Sequence, residues 1–232
     1  MYPKFFKRFF DFVVSLVSLI VLSPLFLVLI IIGAIAMKGN PFFVQPRPGK
    51  KDKDGKEKIF NLIKFRTMSN ARDSSGNLLP DEQRLGKYGS FLRTTSLDEL
   101  PSLVNILCGT LSLVGPRPQL VRDMVFMTAE QRRRHDVKPG LTGLAQVNGR
   151  NNISWIKKFE YDLQYIDRGI TFGEDIKIIF QTVVNVLKRS DTVREGTASD
   201  IDFGDWLMID GKVNKKEYEE KQREAKEIIR QR

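Results

Sequence analysis

Cysteine and histidine are almost missing from this chain of 232 residues: it has one of each, Cys108 and His135. A single thiol forms no internal disulfide, which fits a reducing, cytosolic compartment. One Cys and one His leave no material for a Ser-His-Asp triad, a Cys-His pair or a Cys/His zinc site. Catalysis, if there is any, must rest on carboxylates, lysine, arginine and hard metal ions. Cys108 lies in an apolar stretch, where a small buried hydrophobe is the expected state. Charge is absent from residues 12–37, with Lys4, Lys7 and Arg8 before the gap and Lys38, Arg47, Lys50 and Lys51 after it.

That uncharged run is long enough to cross a bilayer as one straight helix, since a span takes roughly 20 apolar residues. Proline removes a backbone donor and kinks a helix, and Ser23-Pro24 sits mid-run. Each half is then about 17–21 Å long, short of the roughly 30 Å hydrocarbon core. Positive flanks favour the cytoplasmic side, and here both flanks are positive. Two arrangements follow: a helix that enters, turns at Ser23-Pro24 and leaves by the same face, or a bitopic span with a tolerated kink. A signal peptide fits poorly, because the run exceeds the roughly 7–15 residues of such a segment.

Beyond it, the pattern predicts a mainly helical α/β domain with a small β-hairpin. The expected division is 1–40 for the membrane helix and its basic flanks, 41–200 for a cytosolic catalytic domain and 201–232 for a charged tail. Residues 41–45 and 59–68 read as strands, joined by a polar segment with Asp54-Gly55 as the turn. Residues 69–83 read as loop. A helix over 98–108 carries Leu100, Leu103, Val104 and Leu107 on its apolar side, and Gly109 stops it. Residues 111–114 are extended, 115–118 form a rigid turn, 119–134 look helical, and 138–143 have turn chemistry. Amphipathic helices follow at 153–166 and 174–188, the latter with Ile176, Ile179, Phe180, Val183, Val184 and Leu187 toward lipid or core. Residues 212–232 read as a solvated helix or a frayed end.

The net charge of +10 points to an anionic partner: acidic lipid, a phosphorylated substrate or nucleic acid. Chemistry is densest at Arg93-Thr94-Thr95-Ser96-Leu97-Asp98-Glu99-Leu100-Pro101. One reading is a capping box, Ser96 to Glu99, or a helix that starts near Asp98 and puts Pro101 where no bond is lost. The other is a pair of carboxylates beside Arg93, able to hold a divalent metal and supply an oxygen nucleophile to a phosphoryl substrate. Arg117 is fixed between Pro116 and Pro118, and its planar guanidinium suits phosphate. Lys64 and Arg66 alternate with apolar neighbours, so a strand would point both to one face.

Taken in order, the motifs resemble one family. They are Ser23-Pro24, Gln45-Pro46-Arg47-Pro48-Gly49, Lys64-Phe65-Arg66-Thr67-Met68, and Arg93-x-x-Ser96-Leu97-Asp98-Glu99-Leu100-Pro101 with Asn105. Then come Leu113-Val114-Gly115-Pro116-Arg117-Pro118 and Lys138-Pro139-Gly140-Leu141-Thr142-Gly143-Leu144-Ala145-Gln146-Val147. The set is similar to the bacterial sugar transferases, in particular the small monotopic phosphoglycosyl transferases. The resemblance implies transfer of a phosphosugar from a UDP-sugar to polyprenol (undecaprenyl) phosphate with release of UMP. It implies Asp98 as nucleophile, Glu99 as metal ligand or proton aid, Mg2+ at Asp98 and Glu99, and Lys64, Arg66, Arg93, Pro116, Arg117 and Pro118 around the phosphates. It also implies a re-entrant helix broken at Ser23-Pro24, amphipathic interfacial helices, and a catalytic domain on the cytoplasmic face of the bacterial inner membrane. Membrane lipids and downstream glycosyltransferases would be its partners, and nucleic acid would not. A membrane-tethered basic module that binds nucleic acid or acidic lipid, centred on Arg132, Arg133 and Arg134, is the competing reading. A scaffold that leaves catalysis to a partner is a third, disfavoured by the intact Asp98-Glu99 pair.

Overall fold

The computed structural model describes residues 2–149, 152–188 and 201–232. The uncharged run forms two helices, α1 (Lys7–Val21) and α2 (Ser23–Ala36), after a π-helical turn at Tyr2–Phe6. They meet at 66°. No single helix among the described residues is long and apolar enough to cross a membrane, whereas the bent pair passes on length and composition. Pro24 falls in the first turn of α2, where its missing N–H breaks no helical bond. Ser23 Oγ donates to the Ile20 carbonyl at 2.8 Å. Ile20, Val21 and Leu27 are left exposed around the bend.

Strands β1 (Phe42–Lys51) and β2 (Glu57–Phe65) form an antiparallel hairpin. Its tip is closed by Asp52, whose carboxylate accepts from the amides of Asp54 and Lys56, and by Gly55 at φ +77°. The Gln45-Pro46-Arg47-Pro48-Gly49 segment, expected as a connection, is strand. Pro46 and Pro48 stand opposite Asn61 and Ile59, and prolines are tolerated there because β1 is an edge strand. The second strand stops at Phe65, short of the expected 68.

A loop closed by α3 (Asp81–Arg84) leads to α4 (Lys87–Thr95), a 3-10 turn at Leu97–Glu99, and α5 (Ser102–Cys108). Neither expected helix start near 96–98 forms. Ser96 sits in the left-handed region (φ +56°), ends α4, and makes no side-chain cap bond. The helix starts instead after Pro101, whose fixed φ suits that place. Helix α5 takes the position a third strand would fill. Ser102 Oγ donates to Ile63 O at 2.8 Å, Asn105 Oδ1 accepts from Ile63 N at 3.0 Å, and Asn105 Nδ2 donates to Asn61 O at 2.7 Å. These side chains satisfy the backbone of β2 and lock α5 in register with Lys64. Leu103 and Ile106 pack on Phe60 and Leu62, each burial contributing about 1.5–3 kcal/mol. With Ser102, Leu103, Asn105 and Ile106 turned inward, Val104 and Cys108 face outward. Cys108 is therefore exposed, not the buried hydrophobe expected.

The remaining elements are β3 (Ser112–Val114), α6 (Val121–Met124), a 3-10 helix at Gln131–Asp136, β4 (Gly140–Thr142), α7 (Leu144–Val147), α8 (Trp155–Asp167), α9 (Phe172–Lys188), α10 (Phe203–Ile209) and α11 (Lys215–Arg230). The helix expected over 119–134 is broken. Thr128 and Gln131 exchange reciprocal bonds, Thr128 N to Gln131 Oε1 and Gln131 N to Thr128 Oγ1, and so begin a new turn. The expected turn at 138–143 contains β4, which pairs in parallel with β3. This pairing needs glycine: a Cβ on Gly140 would lie 2.1 Å from Gly115 N. Tail helix α11 is not wholly solvated, since Ala225 is buried against Val121, Met124 and Val125. The expected domain boundary at residue 200 falls within 189–200, outside the described residues.

Helix α1 is built into this domain. Lys7, Asp11 and Ser15, four residues apart, share one buried face. Lys7 Nζ donates to Asp175 at 2.5 Å, and Asp11 accepts from Ser112 Oγ and Leu113 N at 2.8 and 3.0 Å. Arg8 donates to the carbonyls of Ile106 and Leu107 at the end of α5. On α2, Leu29 packs with Phe65 and Leu92, and the Tyr88 hydroxyl donates to its carbonyl.

Candidate active site

Three elements converge on Glu99. Strand β2 supplies Lys64, the 3-10 turn supplies Asp98 and Glu99, and the loop after β3 supplies Arg117. Lys64 Nζ and Arg117 Nη2 both donate to Glu99 Oε1 at 2.6 Å, with Arg117 Nη1 3.5 Å from Oε2. Burial alone would resist ionisation of Glu99, but the charges of Arg117 and Lys64 outweigh it and hold the carboxyl well below its usual range. Burial makes Lys64 easier to deprotonate, which Glu99 opposes, while Glu99 strengthens the hold of Arg117 on its proton.

Asp98 is placed differently. It has no hydrogen-bond or ion-pair partner among the described residues. Burial and the adjacent negative charge of Glu99 raise its carboxyl to about 6, against the pull of Lys64, Arg117 and Arg93. Arg93, on α4, donates from Nε to Thr67 Oγ1 at 3.1 Å and acts on Asp98 through its charge. One carboxylate is thus committed to two cations while its neighbour stays available.

The remaining expected site residues divide. Pro116 and Pro118 are buried and fix the Arg117 loop, with Pro118 on the cleft wall. Arg66 follows the last residue of β2, its amide donating to Pro41 O at 2.7 Å, and it is not among the residues that line the cleft with Lys64. Ser23 and Pro24 form the break between α1 and α2.

Two arginines were not singled out from the sequence. Arg47 lines the cleft with Lys64, Glu99, Arg117 and Pro118. Its Nη1 donates to Pro118 O at 3.1 Å and its Nη2 to Gln45 Oε1 at 2.6 Å. Burial and the proximity of Arg117 lower its affinity for its proton to about 10. Pro46-Arg47-Pro48 repeats the pattern of Pro116-Arg117-Pro118, and that was the available signal. Arg134 donates from Nη2 to Arg117 O at 2.7 Å. In the sequence it belongs to a charge run, but each arginine in that run has a carboxylate partner. Arg132 pairs with Glu57, Arg133 with Glu130 and Asp167, and Arg134 with Asp162. His135 lies away from the cleft, with Nδ1 3.1 Å from Glu57.

The cleft carries three cationic side chains, Arg47, Lys64 and Arg117, against Glu99. Such a wall suits a diphosphate. No group of three or more His, Cys, Asp and Glu side chains converges among the described residues. Magnesium needs no such cage, since it commonly takes one or two carboxylates plus substrate phosphates and water. Asp98, without a hydrogen-bond or ion-pair partner among the described residues, lies beside this cationic wall and fits that donor set.

A family model described as bacterial sugar transferase matches residues 2–189, and the chain belongs to this family. It is an enzyme of the sugar-transferase class. An uncharacterized sugar transferase, EpsL of Bacillus subtilis, is 50% identical over 181 residues, covering 78% of this chain and 87% of that protein. The UDP-glucose:undecaprenyl-phosphate glucose-1-phosphate transferase of Klebsiella pneumoniae is 42% identical over 188 residues, covering 77% of this chain but only 39% of its own length. The exopolysaccharide production protein ExoY of Rhizobium meliloti is 32% identical over 194 residues, covering 76% and 83%.

Proposed function

We propose that the protein is a membrane-bound phosphoglycosyl transferase that moves a phosphosugar from a UDP-sugar to polyprenol phosphate. The observation that carries this is the contrast between the two adjacent carboxylates. Glu99 is pinned by Lys64 and Arg117, whereas Asp98 has no hydrogen-bond or ion-pair partner among the described residues and keeps an oxygen available for bond formation. The activity named for the Klebsiella relative supports the donor and acceptor, and the name of ExoY supports exopolysaccharide or related glycoconjugate assembly.

The chemistry follows from the site. Lys64 and Arg117 hold the diphosphate at the mouth of the cleft and screen the charge that would repel a carboxylate. An Asp98 oxygen attacks the sugar-bearing β-phosphorus, the bond from that phosphorus to the bridging oxygen breaks, and UMP leaves with the electron pair. The phosphate oxygen of the polyprenol phosphate then attacks the same phosphorus. The Asp98–phosphorus bond breaks, Asp98 returns as a carboxylate, and a polyprenyl-diphosphate-sugar results. Splitting one displacement into two is the benefit of covalent catalysis. Bound Mg2+, held by Asp98 with Glu99 alongside, would neutralise diphosphate charge and ease departure of UMP.

One substrate is polar and the other lies in lipid, so the reacting carboxylate belongs near the headgroup plane. The bend at Ser23-Pro24 and the charged face of α1 docked on the domain support a re-entrant anchor that enters and leaves by the cytoplasmic face of the bacterial inner membrane. On α9, Phe172, Ile176, Phe180, Val183 and Leu187 are exposed, which supports an interfacial position. Ile179, expected on that face, packs partly inward near Ile178. The carboxylate partners of Arg132, Arg133 and Arg134 weaken the nucleic-acid reading.

A panel of UDP-sugars incubated with the enzyme, Mg2+ and undecaprenyl phosphate tests the proposal. At least one sugar should give acceptor-dependent UMP release. A folded protein that releases none, yet binds nucleic acid with an affinity falling steeply with salt, would overturn it.

A further inference from the structure

The Pro116-Arg117-Pro118 loop has little means of holding itself, because two of its three residues have no amide hydrogen. Its three consecutive carbonyls are nonetheless all satisfied, each from a different part of the chain. Pro116 O accepts from Gly140 N at 3.0 Å. Arg117 O accepts from Arg134 Nη2 at 2.7 Å, and Pro118 O accepts from Arg47 Nη1 at 3.1 Å.

The two arginine donors are themselves braced. Arg134 Nε and Nη2 donate to Asp162 Oδ2 at 3.0 and 2.6 Å, and the guanidinium lies over the Phe159 ring. The Arg134 and Asp162 side chains are 1% and 2% exposed, so Arg134 reaches no ligand. A buried ion pair is weak evidence for stability, since an apolar pair of similar volume often serves as well. What an apolar pair would lack is the bond that leaves the pair for Arg117 O. Arg47 is fixed by Gln45 on an edge strand whose own prolines restrict its backbone. The Arg117 side chain, by contrast, is 42% exposed and reaches Glu99 across the cleft.

We infer that Arg47 and Arg134 are positioning residues that clamp the backbone on either side of the Arg117 side chain, so that its guanidinium meets Glu99 and a substrate phosphate in one fixed pose. The inference rests on the proposed reading of the cleft as a diphosphate site. It goes beyond that reading by giving two residues outside the carboxylate cluster a role that operates only through Arg117.

The test is a double-variant comparison on the full-length protein in detergent. Arg47→Met and Arg134→Lys are made singly and again on Arg117→Ala; the side-chain hydrogen bonds of Arg47 go to Gln45 and Pro118 O, and Arg134→Lys keeps a cation beside Asp162. Two quantities are read: kcat/KM for UMP release, and the affinity for inorganic pyrophosphate by calorimetry, with melting temperatures recorded alongside. Each single variant should lose about tenfold to a hundredfold in kcat/KM, the range expected when a positioned group shifts by about an ångström. In the Arg117→Ala background the same changes should cost less than about twofold, because the group they position is gone. An equal loss in both backgrounds, or no loss in either, overturns the inference; a general packing defect would give the former. If the wild type binds pyrophosphate through Arg117 but releases no UMP, the enzymatic reading fails while the binding comparison still decides the clamp. If it does neither, Arg117 is no anion ligand and the inference falls.

Discussion

Glu99→Gln separates the duties of the two adjacent carboxylates. Glutamine keeps the shape of the side chain but not its charge. Lys64 and Arg117, both 2.6 Å from Glu99 Oε1, would lose their counter-ion together. Removing one partner of a buried pair costs on the order of 3–5 kcal/mol. Arg117 is 42% exposed, so solvent screening discounts its share, leaving about 2–3 kcal/mol. That is a loss of folding stability, read as a lower Tm; displacement of the two cations should in addition lower kcat/KM by about 100-fold, the order expected when a positioned group moves by about an ångström. The pH profile should change as well. Burial and the Glu99 charge raise the Asp98 carboxyl to about 6. In the proposed mechanism Asp98 attacks as the carboxylate, so wild-type activity should decline as pH drops through about 6. Glutamine removes the neighbouring negative charge and leaves two cations unneutralised, so Asp98 ionises at lower pH and the acid limb moves down. Initial rates of UMP release from about pH 5 to about pH 8 measure both effects. A near-normal kcat/KM, or an acid limb that stays in place or moves upward, would refute the reasoning.

Other perturbations address the frame around the site. Gly140→Ala would drive a Cβ to 2.1 Å from Gly115 N and 2.4 Å from Thr142 O; overpacking of this kind costs about 1–3 kcal/mol, and calorimetry should show a lower Tm together with reduced turnover. His135 is buried, its Nε2 has no partner among the described residues, and burial lowers its proton affinity to about 4 from 6.5. The unfolded chain therefore takes up a proton first, and stability should decline as pH falls from about 6.5 to about 4, by on the order of 3 kcal/mol at the limit. Denaturation midpoints across that window should flatten in His135→Phe, and an unchanged slope would contradict this. Replacing Ser23 and Pro24 together with leucine should let α1 and α2 join as one helix of about 45 Å, long enough to span. Impermeant labelling of a cysteine placed at the amino terminus should then occur from outside the cell in that variant and not in the parent with the same cysteine. Labelling of both would refute the re-entrant arrangement.

What was legible in the sequence was local or rigid. Ser23-Pro24 marked the bend because proline cannot continue a helix, and Asp54-Gly55 marked the hairpin tip. Lys64, Asp98, Glu99 and Arg117 were found because a strand, a charged turn and a proline-flanked arginine each advertise themselves. The errors lay where distant contacts decide. Arg66 depended on where β2 stops. The capping box at Ser96 lost to a left-handed turn that closes α4, and Pro101 moved the helix start to Ser102. Cys108 was read as buried from apolar neighbours, although the inward face of α5 is set by Ser102 and Asn105 bonding β2. Arg47 and Arg134 lie 71 and 17 residues from the carbonyls they bind. No spacing rule links such positions, and only the folded chain brings them together.

In the proposed mechanism Asp98 carries the phosphosugar between donor and acceptor. Mass spectrometry of the enzyme, quenched after exposure to its UDP-sugar without lipid acceptor, tests this directly. One phosphosugar should be attached to the peptide containing Asp98, should disappear when undecaprenyl phosphate is added, and should be absent from a folded Asp98→Asn protein that releases no UMP. Full turnover with no such adduct, an adduct on another residue, or an active Asp98→Asn enzyme would contradict it.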